Sequence, residues 1–422
     1  MNILLKFRAL LSTLCLTLLC AAGLPQAQAA DGNWVPAWTA SPQPVWAGDF
    51  VLPLGLPASL RDQTVRQVVR AGVGGSRVRI VLSNEYGTQA LRIGAARIAA
   101  AGDAAGSTSG PSLALTFGGQ TTATVPAGAP LVSDPVTMDV APLQRLAISL
   151  YFPQATPITT IHWDGLQPAQ VAAGNMAGAA SVKADSVVNS RLFLSAVLVE
   201  AAPGTRSVVA FGDSITDGAA STPGTDQRWP DFLARRLAGR NVAVLNAGIS
   251  GGRVLKNHMG PNALARFERD VLGQPGIASV VLLMGINDIS WPGSTLEPGE
   301  PATQAEALIA GYRQLITRAR NRGVRIVGAT LTPFEGALTM PGSPITNYYS
   351  PAKDALRQRI NAWIRGSGEF DAVLDFDAVV RDPQNPLRIL PAYDSGDHLH
   401  LGDAGNKAVA DSVDLKLLLG ER

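Results

Sequence analysis

The chain has 422 residues, of which 35 are basic and 33 acidic, and its formal net charge is +2. Two of those 35 basic residues, Lys6 and Arg8, fall in an N-terminal leader without acidic residues, so the remainder of the chain balances at 33 against 33. An even balance with no clustered basic excess excludes a nucleic-acid partner, and cysteines confined to the leader exclude both a disulfide framework and a thiol nucleophile.

The leader is read from Lys6 and Arg8 ahead of an apolar run, Ala9 to Leu19, with small residues at Ala27-Gln28-Ala29. That pattern predicts a secretory signal over residues 1–29 and a mature protein that is secreted or periplasmic. Cys15 and Cys20 both lie within it and follow Leu14 and Leu19, which are too bulky for a lipid-attachment site. A membrane span needs about 20 apolar residues. No later stretch offers that, so no membrane anchor is expected.

Residues 30–200 carry short β-rich runs separated by glycine and proline: Thr64 to Arg70, Arg77 to Leu82, Leu113 to Phe117, Arg145 to Phe152 and Arg191 to Val199. Helical periodicity is nearly absent. The expectation is an all-β sandwich, jelly-roll-like, serving as an accessory domain. Ala201 to Thr205, with Pro203 and Gly204, reads as a short linker.

From residue 206 to 422 the texture changes to apolar runs alternating with amphipathic helices. The runs are Ser207 to Phe211, Val242 to Leu245, Ser279 to Met284, Arg325 to Ala329 and Ala372 to Phe376. They read as buried parallel strands. One helix is expected behind a capping box of Thr303 and Glu306, with an apolar stripe from Leu308 to Ala319 and a stop at Gly323. Another starts at Ser350-Pro351 and aligns Leu356, Ile360, Trp363 and Ile364. Five such strands with crossover helices predict an open three-layer α/β/α domain, in which ligands bind beyond the carboxyl ends of the strands.

The unusual residues collect at those ends: Gly212-Asp213-Ser214 after the first strand, Asn246 to Gly252 after the second, Gly285-Ile286-Asn287-Asp288 after the third, and Asp397-His398-Leu399-His400 after the last. Each taken alone is compatible with an ordinary turn. Together they hold what acyl transfer requires. Ser214 is a nucleophile in a strand-to-helix turn, His400 a base, and Asp397 the group that orients that base; the N–H groups of Ser214 and Gly251 with the Asn287 amide form an oxyanion hole. A metal is not expected, because four histidines and no mature cysteine give no second ligand cluster at zinc-like spacing.

These blocks resemble the SGNH (GDSL) hydrolases: Gly-Asp-Ser at Ser214, Asn-x-x-x-x-Gly ending at Gly251, Gly-x-Asn-Asp at Asn287, and Asp-x-x-His ending at His400. The resemblance covers about Arg206 onward. It implies a flavodoxin-like sheet, no cofactor, Ser214, Gly251, Asn287 and His400 as the name-giving residues, and Asp397 completing a triad. The β-rich half, with Trp38-Thr39-Ala40-Ser41-Pro42, looks like the extra domain of larger secreted members, some of which are arylesterases or polysaccharide deacetylases. His398 and Leu401 depart from the common pattern around the last block.

The expected activity is therefore hydrolysis of short-chain carboxylic esters, acetyl esters foremost, on a small molecule or an acylated polysaccharide. The alternatives are a lipase or lysophospholipase acting on longer chains, and a catalytically inactive carbohydrate-binding module on the same fold. Gly248-Ile249-Ser250-Gly251-Gly252 also satisfies the G-x-S-x-G pattern and makes Ser250 a rival nucleophile, though it follows too few strands and opens no helix. His162 beside Trp163 and His258, at the start of a helical stretch, read as structural; Asp213 and Asp288 read as partners of their own turns. Trp229 and Trp291 read as packing, with Trp291 placed to wall a pocket. Oligomeric state is not legible.

Overall fold

The fold is taken from a computed structural model that describes residues 32–46 and 48–421. The signal peptide expected over residues 1–29, with Cys15 and Cys20, lies outside the described residues. Among the described residues no helix is long and apolar enough to cross a membrane.

The N-terminal half is a β-sandwich built from antiparallel sheets. One sheet joins Trp34–Thr39, Leu194–Glu200, Gly75–Ser83 and Pro130–Val132 in that order, with Val136–Val140 also pairing Gly75–Ser83. The other runs Ser186–Val188, Ala169–Ala173, Gln63–Arg70, Arg145–Phe152, Ala95–Ala101 and Thr108–Ala114. Alternation explains the packing: Val78, Ile80 and Leu82 are fully buried while the intervening residues stay partly accessible. Val65, Val69, Ile148 and Leu150 face them from the second sheet within one core.

Two strand readings are corrected. The run Arg191 to Val199 breaks at Phe193, whose φ of 58° takes the chain out of extended geometry. Arg191–Leu192 instead pairs with Thr160–His162 in a small three-stranded sheet completed by Gln43–Pro44. The strand expected at Leu113 to Phe117 is Thr108–Ala114, because Phe117 closes a turn with Gln120.

The C-terminal half is a five-stranded parallel sheet of Arg206–Gly212, Val242–Gly248, Ile277–Leu283, Arg325–Ala329 and Ala372–Leu374. In space the order is second, first, third, fourth, fifth. That is the flavodoxin-like arrangement, whose direction reverses beside the first strand and opens a crevice at the carboxyl ends. The last strand stops at Leu374, since Asp375 caps a new helix, Phe376–Val380. Helix Ala305–Asn321 begins after Gln304 without a side-chain cap, so the Thr303–Glu306 box is not formed; the Thr303 hydroxyl donates to the Asp288 carbonyl instead, at 2.6 Å. Helix Pro351–Gly366 starts as expected, capped by Ser350. His258 opens no helix; the next one is Ala263–Phe267.

Ala202 to Thr205 forms a turn held by Thr205 N–H and Oγ1 on the Ala202 carbonyl. The halves then meet side by side, and from Trp34 onward the chain is one compact unit. Arg70 reaches Asp231 at 3.0 Å, Gln43 donates to the Met259 carbonyl at 2.5 Å, and Arg269 donates to the Pro42 carbonyl at 3.0 Å.

Candidate active site

Two glycines let the first two strands end tightly against the adjoining turn. A Cβ on Gly212 would strike the Thr216 hydroxyl and lie 2.6 Å from the Leu283 carbonyl; one on Gly248 would meet the backbone of Thr216 and Asp217. Asp213 then caps the short helix Ser214–Asp217, accepting from Ile215 N–H at 3.1 Å, and Gly218 ends it in the left-handed region. Ser214 thus sits at the first helical position with its residue only 7% exposed. Arg266, fully buried, secures the strand ends from below: it donates to the Gly212 carbonyl at 2.8 Å and the Ala247 carbonyl at 2.7 Å, and pairs with Asp270 at 2.9 Å.

The loop after the last strand brings the base across. Asp397 folds it by accepting from the N–H groups of Leu399 and His400 at 2.9 and 2.7 Å through Oδ1. Its Oδ2 meets His400 Nδ1 at 2.6 Å, and His400 Nε2 lies 2.8 Å from Ser214 Oγ. A carboxylate can only accept, so Nδ1 carries the hydrogen and Nε2 is left to accept from the serine hydroxyl. Burial disfavours the charged imidazole, but the bond and charge of Asp397 outweigh it and hold the His400 pKa above its ordinary value. Burial works against the Asp397 carboxylate too; the His400 bond and the backbone N–H groups prevail and keep it well below the usual range.

Two of the oxyanion candidates, Gly251 and Asn287, lie on neighbouring loops tied by a hydrogen bond. Asn287, 3% exposed, donates through Nδ2 to the Gly252 carbonyl at 3.0 Å, which sets its amide beside the Gly251 turn. Its Oδ1 accepts from Trp291 Nε1 at 2.9 Å and from the Tyr348 hydroxyl at 2.7 Å. Indole N–H is donor-only, so the orientation of the Asn287 amide is fixed and its second Nδ2 hydrogen is free for another acceptor. Gly251 has φ +74°, and a Cβ there would run into Met259 Sδ and come within 3.0 Å of the Trp291 ring. Trp291 is thus both packing and a wall of this corner, as Trp229 is packing alone.

The remaining sequence candidates fall elsewhere. Asp288 bonds its own backbone N–H as expected and does more: it accepts from Val254 and Leu255 N–H at 2.7 and 3.0 Å, tying the third-strand block to the loop after the second. Burial raises its pKa to about 6 despite those bonds, and raises that of Asp213, whose Oδ2 has no partner, to about 7. His398 turns away to Asp394 at 2.5 Å. Ser250 faces carboxylates: its hydroxyl lies 3.0 Å from Asp164 and 3.2 Å from Asp217. His162 pairs with Asp217 at 2.9 Å rather than with Trp163. His258 packs against Phe50 and Trp291, with ring centroids 4.2 and 5.5 Å away.

Asp164, Asp217, Arg266 and Tyr348 are near the site without standing out in the sequence. The sequence signal nearest to Asp164 is the adjoining pair His162-Trp163, which reads as structural.

An open parallel sheet of this order, with a serine, a histidine and an aspartate in hydrogen-bonded succession beyond its strand ends, defines a hydrolase domain of α/β fold. Residues 210–408 match the model of the GDSL-like Lipase/Acylhydrolase family. That segment is a GDSL-like domain, and the chain is by class a carboxylic ester hydrolase. Among curated proteins no match was found. Similar solved structures include a GDSL-like lipase from Bacteroides thetaiotaomicron, 18% identical over 51% of this chain and 89% of that one, TM-score 0.38. An inhibitor-bound aryl esterase from M. smegmatis is 16% identical over 51% and 100%, TM-score 0.38. An acetyl xylan esterase is 22% identical over 49% and 96%, TM-score 0.35. Likenesses this distant carry nothing about substrate.

Proposed function

We propose that the protein hydrolyses short-chain carboxylic esters, acetyl esters above all, through an acyl-enzyme on Ser214. The observation that carries the reading is the unbroken succession Ser214 Oγ, His400 Nε2, His400 Nδ1, Asp397 Oδ2, with separations of 2.8 and 2.6 Å. In acylation Ser214 Oγ bonds to the substrate carbonyl carbon while its proton passes to His400 Nε2; His400 then gives that proton to the departing alcohol oxygen as the C–O bond breaks. Water, deprotonated by the same nitrogen, splits the acyl-enzyme and restores the hydroxyl. The N–H groups of Ser214 and Gly251 and the Asn287 amide take the oxyanion, each such donor being worth about 100- to 1,000-fold in rate.

Two observations favour a small acyl group on a flat alcohol. Trp291, Met259 and Tyr348, all buried, pack against the Gly251 and Asn287 side, which favours a short acyl chain there. Beside it Trp46, Phe50 and Trp163 form a partly exposed aromatic group, with Trp46 edge-on to both others, suited to an aryl or sugar ring. The chain divides into a β-sandwich over residues 30–200 and a catalytic domain over 206–422, and its leader pattern favours action in the periplasm or outside the cell. Turnover of p-nitrophenyl acetate, butyrate and octanoate by the protein and its Ser214→Ala variant tests the reading. Rates falling with acyl length and lost in the variant are expected, followed by acetate release from an acetylated polysaccharide. Octanoate preference would reassign it to longer lipid esters, and ligand binding without turnover would make it an inactive module.

A further inference from the structure

Three side chains around Ser250, His162 and Asp217 buried and Asp164 half-buried, form a chain that takes no part in the proton transfers of hydrolysis. His162 Nδ1 faces the Ser41 carbonyl at 3.2 Å and Nε2 faces Asp217 Oδ1 at 2.9 Å. Asp217 Oδ2 accepts from the Ser250 backbone N–H at 3.0 Å and lies 3.2 Å from its hydroxyl. On the opposite side of that hydroxyl, at 3.0 Å, is Asp164 Oδ2. Ser41, His162 and Asp164 belong to the N-terminal half; Asp217 ends the helix turn that begins with Ser214; Ser250 immediately precedes Gly251.

We propose that His162 and Asp164, supplied by the β-sandwich, are positioning residues for ester hydrolysis: with Asp217 they clamp Ser250 and thereby set the Gly251 N–H toward the oxygen that forms above Ser214. The inference rests on the reading of Ser214 as nucleophile and Gly251 as oxyanion donor. A single carboxylate, Asp217, joins the nucleophile turn to the oxyanion loop, and its position is fixed from the other half of the protein. Hydrogen counting supports a defined arrangement. The Ser250 hydroxyl has one hydrogen and lies between two carboxyl groups, so one of these contacts must use a proton carried by the carboxyl itself. The structure assigns that proton to Asp164, whose pKa burial raises and the neighbouring Asp217 raises further. His162 Nε2 engages Oδ1 of Asp217, leaving Oδ2 to accept from Ser250. The G-x-S-x-G pattern around Ser250 thus encodes a loop support.

Displacing a donor by a fraction of an ångström costs less than deleting it, so each break should lower kcat about 10- to 100-fold with KM for p-nitrophenyl acetate within about threefold. The full-length mature protein is compared with His162→Gln, Ser250→Ala, Asp164→Ala and Asp164→Asn, alongside Ser214→Ala. Asp164→Asn reproduces the shape and donor of a neutral acid, so it should recover at least about tenfold of the activity lost in Asp164→Ala. A purely structural role would lower thermal stability without that recovery and without a kcat-specific loss. If His162→Gln does not fold, Ser250→Ala, which deletes one oxygen, decides alone. Folded His162→Gln or Ser250→Ala variants with kcat within twofold of the parent would overturn the proposal while leaving the Ser214 reading intact. Full loss in Ser250→Ala with activity kept in Ser214→Ala would overturn both.

Discussion

Replacing Asp397 by asparagine tests the logic of the site at its most exposed point. Asp397 does two things with two oxygens: Oδ1 accepts from the backbone N–H of Leu399 and His400, and Oδ2 accepts from His400 Nδ1. An asparagine keeps the first by turning its carbonyl oxygen to the backbone. Its NH2 then faces Nδ1, which must become the acceptor, and the imidazole hydrogen moves to Nε2. A protonated neutral Nε2 aimed at Ser214 Oγ cannot take the serine proton. The expected loss in kcat is on the order of 10,000-fold, about 5.5 kcal/mol, with KM for p-nitrophenyl acetate little changed. Since the backbone bonds persist, the melting temperature of Asp397→Asn should stay near the parent value, while Asp397→Ala, which loses them, should melt lower. An asparagine variant with kcat within tenfold of the parent would refute the assignment of Asp397 as the group that fixes the His400 tautomer.

Two more outcomes are expected from the packing beneath the site. Gly251→Ala forces a side chain into Met259 and the Trp291 ring at φ +74°, so kcat/KM for aryl acetates should fall by about 100-fold or more, measured with active-site titration to count intact centres. Arg266→Ala leaves Asp270 buried without its Arg266 bond and the Gly212 and Ala247 carbonyls without their donor; the expected cost is about 3–5 kcal/mol of stability, read by urea unfolding. A loss below about 1 kcal/mol would show that the carbonyls find other donors.

How much of this was legible in the sequence differs between the halves for physical reasons. In the C-terminal half, buried parallel strands are continuous apolar runs, and Arg325–Ala329 appears with the bounds its pattern suggests. The four blocks were legible because strand-end turns demand glycine, aspartate and asparagine, residues that stand out against valine and leucine. The break at Phe193 was not legible, because nothing in an aromatic residue announces a positive φ; the surrounding sheets impose it. The capping box at Thr303 failed for a related reason: a tertiary acceptor, the Asp288 carbonyl, competes for the hydroxyl. Asp164 and Asp217 escaped because their meaning depends on a contact between residues from the two halves, and a local pattern holds no record of that.

The carboxyl groups around His400 decide the pH response. Asp213 and Asp164 both raise the His400 pKa through charge, adding to the larger effect of Asp397. Asp164 does so only when ionised, and its placement beside Asp217 opposes ionisation. Asp213, with a pKa near 7, acts by its charge on His400, whose own pKa is raised. Each ionisation of Asp213 makes His400 hold its proton longer, so the two titrate as a pair. Neutral imidazole is the active base, hence kcat/KM for p-nitrophenyl acetate should rise with pH, with a midpoint above 6.5 and a rise broader than a one-proton curve. In Asp213→Asn the coupling is gone: the rise should narrow to one proton and its midpoint move down. Stability must move oppositely in pH. An acid whose folded pKa is raised from 3.8 to about 7 costs nothing below 3.8 and its full penalty above 7, roughly 4 kcal/mol as an upper figure. Asp213→Asn should therefore melt with the parent at pH 4 and above it at pH 8. An unchanged midpoint together with an unchanged melting temperature at pH 8 would mean that Asp213 carries its charge at no cost, and that some partner other than the Ile215 N–H compensates it.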